Sequence, residues 1–253
     1  MVKNTLKGIK AYSGTFGLMS KLGLWKYFGV PMAISFLTAT LIFVLAYTLA
    51  DDFGYYISKI WIWEWGHETF FFISEIISGI LILVLGLLLF KHIVMALSAP
   101  FMGPVSEKIE NYLLGNQNQK HKSGNFRTLL WRGIRINFRN LLMELMLTIP
   151  IIIIGFVPIL GIVSTVLLFL LQAYYAGFGN MDYTLERHFS YRESVAFVKK
   201  NRGSAIGNGI VFMLFLFIPI IGIILVLPLS VTAATTETIS LLKAQNKLKT
   251  NGL

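Results

Sequence analysis

Four long stretches of this chain carry almost no charge, and they limit what it can fold into. They are Tyr27–Ala50, Thr69–Phe90 (broken only by Glu75), Leu145–Met181 and Gly203–Thr236. A bilayer core about 30 Å thick needs about 20 helical residues to cross it. The first run has 24 residues, the third 37 and the fourth 34. The second continues past Lys91 and His92 to Pro100. Only 13% of residues are charged, against about 25% in a soluble domain. An ordinary water-soluble fold and a disordered chain are both excluded. Lys3, Lys7, Lys10, Lys21 and Lys26 precede the first run, as in a signal peptide. That run is longer than a secretory apolar segment and lacks a clear cleavage site, so it reads as an uncleaved transmembrane helix.

Two full spans are expected, at about 24–50 and 66–98, the second ending at Ala99-Pro100. Between them lie Asp51, Asp52, Lys59, Glu64, His67 and Glu68, with Trp61, Trp63 and Trp65. Tryptophans gather at the membrane–water boundary, so this segment reads as an interfacial belt. The third and fourth runs are too long for one span and too short for two with a turn. Each holds a helix breaker near its middle, Pro158 with Gly161 and Pro219 with Gly222. The surrounding pattern F-[IV]-P-I-[IL]-G-I recurs 61 residues apart. Each run is either a kinked single helix or a hairpin, since proline bends a helix and glycine permits a turn.

Charge placement separates the two. Residues 115–140 hold Lys120, Lys122, Arg127, Arg132, Arg135 and Arg139 with no acid, and residues 182–202 and the tail are also basic. Only 51–68 is acidic on balance. Basic loops stay on the cytoplasmic side. Hairpins at about 141–181 and 203–236 put every basic segment inside, with both termini cytoplasmic. The expected fold is therefore an all-α integral membrane domain over 1–253. It has two long transmembrane helices, two Pro-Gly helical hairpins partly penetrating the bilayer, and cytoplasmic amphipathic helices. Segment 101–140 is expected as a cytoplasmic helical unit and 237–253 as a tail. Residues 125–144 alternate basic and apolar positions, which suits an anionic membrane surface. Nucleic acid is a poor partner for a basic stripe lying between membrane segments.

The chain has no cysteine, so disulfides, thiol nucleophiles and Cys-ligated metals are absent. No metal-binding His spacing and no nucleotide-binding loop occurs, so no metal, cofactor or enzymatic activity is expected. Lys21-Leu22-Gly23-Leu24-Trp25-Lys26 just precedes the first span. Backbone N–H groups, a helix N-terminus and lysines together suit an anion; Lys21 and Lys26 also suit plain interfacial anchoring. Glu75 and Glu144 lie in or beside apolar runs and need partners. Arg135 and Arg139 are the expected partners of Glu144. Asp182, Glu186, Arg187, Arg192 and Glu193 read as an ion-pair network.

Several segments resemble the CysZ-type sulfate permease family, which includes the etoposide-induced membrane proteins. Gly23-Leu24-Trp25-Lys26, then Pro31-Met32-Ala33-Ile34, resembles that family's G-L-R-R…P-L-x-I-N. Ala99-Pro100-Phe101…Pro104…Glu107-Lys108-Ile109-Glu110…Leu114-Gly115 resembles A-P-F…E-x-V-E…L-x-G. Met181-Asp182-Tyr183 resembles Y-x-D-Y-P, with Thr184 in place of the proline. Ile218-Pro219…Pro228-Leu229-Ser230-Val231-Thr232-Ala233-Ala234-Thr235 resembles I-P…P-x-A-V-x-G-A-T.

The resemblance implies a bacterial inner-membrane homo-oligomer that takes up sulfate or sulfite without ATP for cysteine synthesis. It implies anion binding at Gly23, Leu24, Trp25 and Lys26; Glu107, Glu110, Asp182 and Arg187 join Glu144, Arg135 and Arg139 as candidates for pathway or structural ion pairs on the residues themselves. Trp25 and Lys26 stand where the family has arginines. Lysine keeps the charge without the bidentate fork, and Trp25 keeps only its backbone N–H. The weakened arginine pair and the basic stripe at 125–144 leave a second expectation: a scaffold or lipid-interacting protein of the same fold that does not transport.

Overall fold

The computed structural model describes residues 1–62, 65–115, 124–157, 160–218 and 221–248. All regular structure among them is helical: α1 (Val2–Lys10), α2 (Thr15–Lys21), a 3-10 turn (Trp25–Tyr27), α3 (Gly29–Ser58), α4 (His67–Leu114), α5 (Phe126–Gly155), α6 (Gly161–Leu185), α7 (Tyr191–Lys200), α8 (Arg202–Leu216) and α9 (Ile221–Ala244). Pro158, Pro219, Trp63, Glu64, and 116–123 of the polar loop lie outside the described residues. Among the described residues, five helical segments are long and apolar enough to cross a membrane: Trp25–Ser58, His67–Leu114, Phe126–Gly155, Gly161–Leu185 and Leu225–Ala244.

The element bounds differ from the expected ones in three places. The first span opens with the 3-10 turn at Trp25, close to the expected 24, and α3 carries it past 50 to Ser58. The second does not end at Ala99-Pro100: α4 runs on through Pro100 and Pro104 to Leu114. Segment 101–140 is therefore not one unit, but the end of α4 and the start of α5. A proline inside a helix leaves the carbonyl four residues earlier without its usual donor. Membrane helices tolerate this when neighbouring groups take up the slack. Near these prolines Tyr183 Oη donates to the Met95 carbonyl at 2.6 Å and Arg187 Nη1 to the Gly103 carbonyl at 3.3 Å, which tie α4 to its neighbours, while the carbonyls that the prolines free are those of Ala96 and Pro100. Finally, α9 carries the fourth run into the expected tail, to Ala244.

α3 packs along α4 through one narrow stripe: Pro31, Ser35, Thr38, Ile42, Ala46, Gly54 and Ser58 are its buried residues. Ser74 and Ser78 of α4 are buried as well. Small side chains at three- and four-residue spacing let membrane helices approach closely. The rest of α3 exposes Phe36, Leu37, Leu41 and Phe43, as a lipid-facing surface does.

The other helices form the compact part. Ala173–Leu185 of α6 is almost wholly buried, as is Gly203–Gly209 at the start of α8. The two touch backbone to backbone. A Cβ on Gly177 would collide with the Ala205 carbonyl, and one on Gly209 with that of Ala173. α1 lies on the far side of α8, where a Cβ on Gly8 would come 2.5 Å from the Ser204 carbonyl oxygen. Above these buried roots the helices reach exposed apolar tips, with Phe156 81% and Phe217 71% exposed.

Candidate functional site

The segment before α3 folds as a tight reversal. Gly23 takes a left-handed φ of 59°, where a side chain would strain the backbone. Its N–H donates to the Ser20 carbonyl at 3.2 Å, and the Leu24 N–H to that of Met19 at 2.9 Å. These two amides close the C-terminus of α2 and are spent on that turn. The Leu24 side chain is fully buried and anchors it. Trp25 and Lys26 open the 3-10 turn, before its first internal bond from the Tyr27 N–H to the Leu24 carbonyl. Half of the expected amide set thus shapes the turn, and half begins a new helical turn with its N–H groups leading.

Three lysines surround this turn. Lys26 Nζ lies 5.3 Å from the Tyr27 ring centre, and Lys108 Nζ approaches the same ring at 5.8 Å. Lys108 also donates to the Leu22 carbonyl at 2.8 Å, and Lys21 to Tyr112 Oη at 2.6 Å. Lys108 and Tyr112 come from the end of α4, which reaches this far only because the helix continues past Pro100. Among the described residues no carboxylate is within salt-bridge distance of the three lysines. The foot of α3 is thus a local excess of positive charge over tyrosine faces. Lys108 stood within the Ala99–Gly115 motif, but nothing local in the sequence placed it beside Lys26.

The expected ion pairs are rearranged. Glu144 does not meet Arg135 or Arg139; it is fully buried and bonds Lys91 Nζ at 2.6 Å and His92 Nε2 at 3.0 Å. Helical geometry explains the correction. At about 100° per residue, Arg139 points about 140° and Arg135 about 180° away from Glu144. Arg135 instead stacks on Tyr191 at 4.1 Å, and Arg139 lies over Phe178 and donates to Asn140. Lys91 and His92 had registered only as an interruption of an apolar run.

The network expected within 182–193 is instead tied mainly to other helices. Asp182 forms a bidentate pair with Arg132 of α5, at 3.1 and 2.9 Å, and Arg132 also bonds Ser194 and the Phe189 carbonyl. Glu110 of α4 takes Arg187 on one oxygen and His188 on the other, both 2.7 Å away. Arg187 Nη2 continues to Ser106 Oγ, which joins Thr184 and Thr235 in a buried hydroxyl cluster. Glu186 touches Arg187 only at 4.0 Å. Burial, opposed by the Arg187 charge, pushes its carboxyl up to about 8. Glu107 is partly buried on the same helix as Glu110, and Glu75 packs over Gly54 of α3. Among the described residues no group of three or more His, Asp or Glu is arranged to hold a metal ion.

Comparison with known proteins adds the relatives. A family profile described as "Sulfate transporter CysZ/Etoposide-induced protein 2.4" matches residues 11–227. A Pseudomonas fluorescens (strain Pf0-1) protein named Sulfate transporter CysZ is 27% identical over 173 residues, covering 66% of this chain and 69% of that protein. A Pseudomonas aeruginosa (strain LESB58) protein of that name is 27% identical, with 62% and 64% covered. One from Vibrio parahaemolyticus is 29% identical over 154 residues, with 59% and 61% covered.

Proposed function

The chain belongs to the sulfate transporter CysZ/etoposide-induced protein 2.4 family, and on that footing we propose that it is an ATP-independent anion permease of the bacterial inner membrane. Its substrate is sulfate or sulfite, taken up for sulfur assimilation, and it performs no catalysis. The observation that carries this reading is the cluster of Lys21, Lys26 and Lys108 at the foot of a 30-residue membrane helix, with no carboxylate in salt-bridge distance among the described residues. Trp25 and Lys26 supply backbone N–H groups, Lys26 supplies charge, and Lys21 and Lys108 supply more charge from the sides. Gly23 and Leu24 hold the turn that presents them. A dianion here meets cations and a helix start together, which favours negative charge.

In the same reading α3 and α4 cross the bilayer, while α5–α6 and α8–α9 enter it partway as hairpins. Residues 145–155 of α5, between Glu144 and the turn, are eleven, about 16 Å at 1.5 Å each, against a core of about 30 Å. Both termini are then cytoplasmic, and the protein works as a homo-oligomer whose copies cover the exposed apolar tips. A cysteine at Gly161, where a Cβ meets only the Gly155 carbonyl oxygen at 3.4 Å, reports the depth of the first hairpin. Labelling by a membrane-impermeant thiol reagent added outside is expected to be absent, and prompt labelling would place a crossing there.

Sulfate binding to the purified protein tests the site. Saturable binding to wild type that Lys26→Glu abolishes, in a variant of unchanged helicity, is the expected result; equal binding in both contradicts it. A second reading, a lipid-interacting scaffold, draws on a pocket of ≈ 410 Å³ lined by Arg127, Arg132, Arg135 and Trp131. Anionic-vesicle binding lost in Arg127→Ala/Arg135→Ala, with no sulfate binding at all, would favour it.

A further inference from the structure

Inside the bundle, two hydrogen-donating side chains converge on one carboxylate. Lys91 Nζ holds one oxygen of Glu144 at 2.6 Å and His92 Nε2 holds the other at 3.0 Å. The three side chains are 1%, 3% and 0% exposed. A carboxylate oxygen accepts hydrogen bonds, which suits the His92 tautomer with its hydrogen on Nε2. Each oxygen therefore faces one donor, as the oxygens of a small free oxyanion would.

The surroundings are unsaturated. His92 also meets the Asn137 side chain, and Asn140 Nδ2 is buried without a hydrogen-bond partner. Buried polar atoms are normally satisfied, so an orphaned amide beside an ion pair leaves a donor ready for another acceptor. Asn140 sits one helical turn before Glu144, on the same face of α5. Its oxygen accepts from Arg139, which leaves its N–H₂ as a spare donor within reach of a displaced Glu144.

Next to the pair lies a cavity of ≈ 540 Å³ among α3, α4, α6 and α8, lined by Ile42, Phe43, Leu83, Phe90, Gln172 and Met213. It meets the pair through Gln172, whose carbonyl accepts from Lys91 Nζ at 3.4 Å. A buried ion pair is weak support for stability, because apolar replacements often do as well. Ionisable groups within membrane helices more often mark a path for ions.

We propose that Lys91 and His92 form an anion-binding site within the membrane bundle, that its ligand is a small oxyanion, and that Glu144 is a tethered carboxylate filling the site in its absence. The site deepens the permease reading by giving the same anion a second station, and it rests on that reading for the identity of the natural ligand. The charged and titratable groups around it are Lys91 and His92 from α4, Glu144 and Arg139 from α5, and Tyr174 and Tyr175 from α6. A dianion bound beside an ionised Glu144 would set three negative charges against Lys91. Occupation by sulfate therefore requires the carboxylate to turn away, with Asn140 Nδ2 the waiting donor.

Anion rescue tests this on the full-length protein in detergent. Glu144→Ala removes the tethered carboxylate and leaves Lys91 unpaired. Sodium formate or sulfate, titrated against gluconate at constant ionic strength, is expected to raise its melting temperature by about 5 °C or more. Formate is expected to leave wild type and Lys91→Met/Glu144→Ala unchanged, and sulfate to raise them only by the amount that Lys26→Glu removes. Should Glu144→Ala not fold, Glu144→Gln is used, with radiolabelled sulfate: one more bound sulfate per chain than wild type, lost on adding Lys91→Met. Adding Lys26→Glu leaves the rescue intact, so failure at the foot of α3 is distinguishable from failure here. No response in either variant, or equal responses with and without Lys91, overturns the proposal.

Discussion

The lysine cluster at the foot of α3 and the Lys91–His92–Glu144 cluster offer positive charge in opposite settings. The first is an open group of cations over tyrosine rings, with no carboxylate in salt-bridge distance among the described residues. The second is sealed, with each donor paired to one carboxylate oxygen. An exposed cation is paid for by water and costs the fold almost nothing. A buried cation is stable only while its counter-charge stays in place. Charge at the first cluster therefore governs ligand attraction, and charge at the second governs both the fold and, once displaced, binding.

Four single variants and one double variant break or sharpen that contrast. Lys91→Met should cost about 3–5 kcal/mol, because it strands the Glu144 charge in the bundle. Lys91→Met/Glu144→Leu should recover most of that loss, as read by chemical denaturation in detergent; recovery of none would mean the pair is not the cause. Asp182→Asn should cost about 2–3 kcal/mol by breaking the bidentate bond to half-buried Arg132, in the same assay.

Glu186 gives a smaller, pH-dependent effect. Its folded carboxyl titrates at about 8, above the ordinary 4.5, so the folded state holds a proton that the unfolded chain has already released. Stability should fall as pH rises from about 5 to about 8, and level off beyond. Glu186→Gln should flatten that slope, and an unchanged slope in thermal melts at pH 5.5 and 8 would remove Glu186 as its source. The smallest effect on the fold belongs to Lys26→Glu, within about 0.5 kcal/mol, since its side chain is exposed. Its binding effect should be the largest of the four.

The contrast also separates what was legible in the sequence. The foot of α3 could be read because its residues are neighbours along the chain: a lysine-flanked glycine directly before an apolar run. The membrane helices could be read because 20-residue apolar runs have few other uses. The buried cluster could not, because Lys91 and Glu144 are 53 positions apart and meet only through the packing of α4 against α5. Nearness in sequence favoured Arg135 and Arg139 as partners, while the turn of the helix sends both elsewhere. Pro100 misled in a similar way. Proline ends most helices, but α4 continues through Pro100 and Pro104, far enough to bring Lys108 to the site.

Uptake of radiolabelled sulfate into proteoliposomes, run beside Lys26→Glu liposomes of equal protein content, tests the permease most directly. Saturable, ATP-free uptake by wild type that the variant lacks is the predicted result. Wild-type liposomes that take up no sulfate or sulfite, or a Lys26→Glu variant that transports as well as wild type, would contradict it.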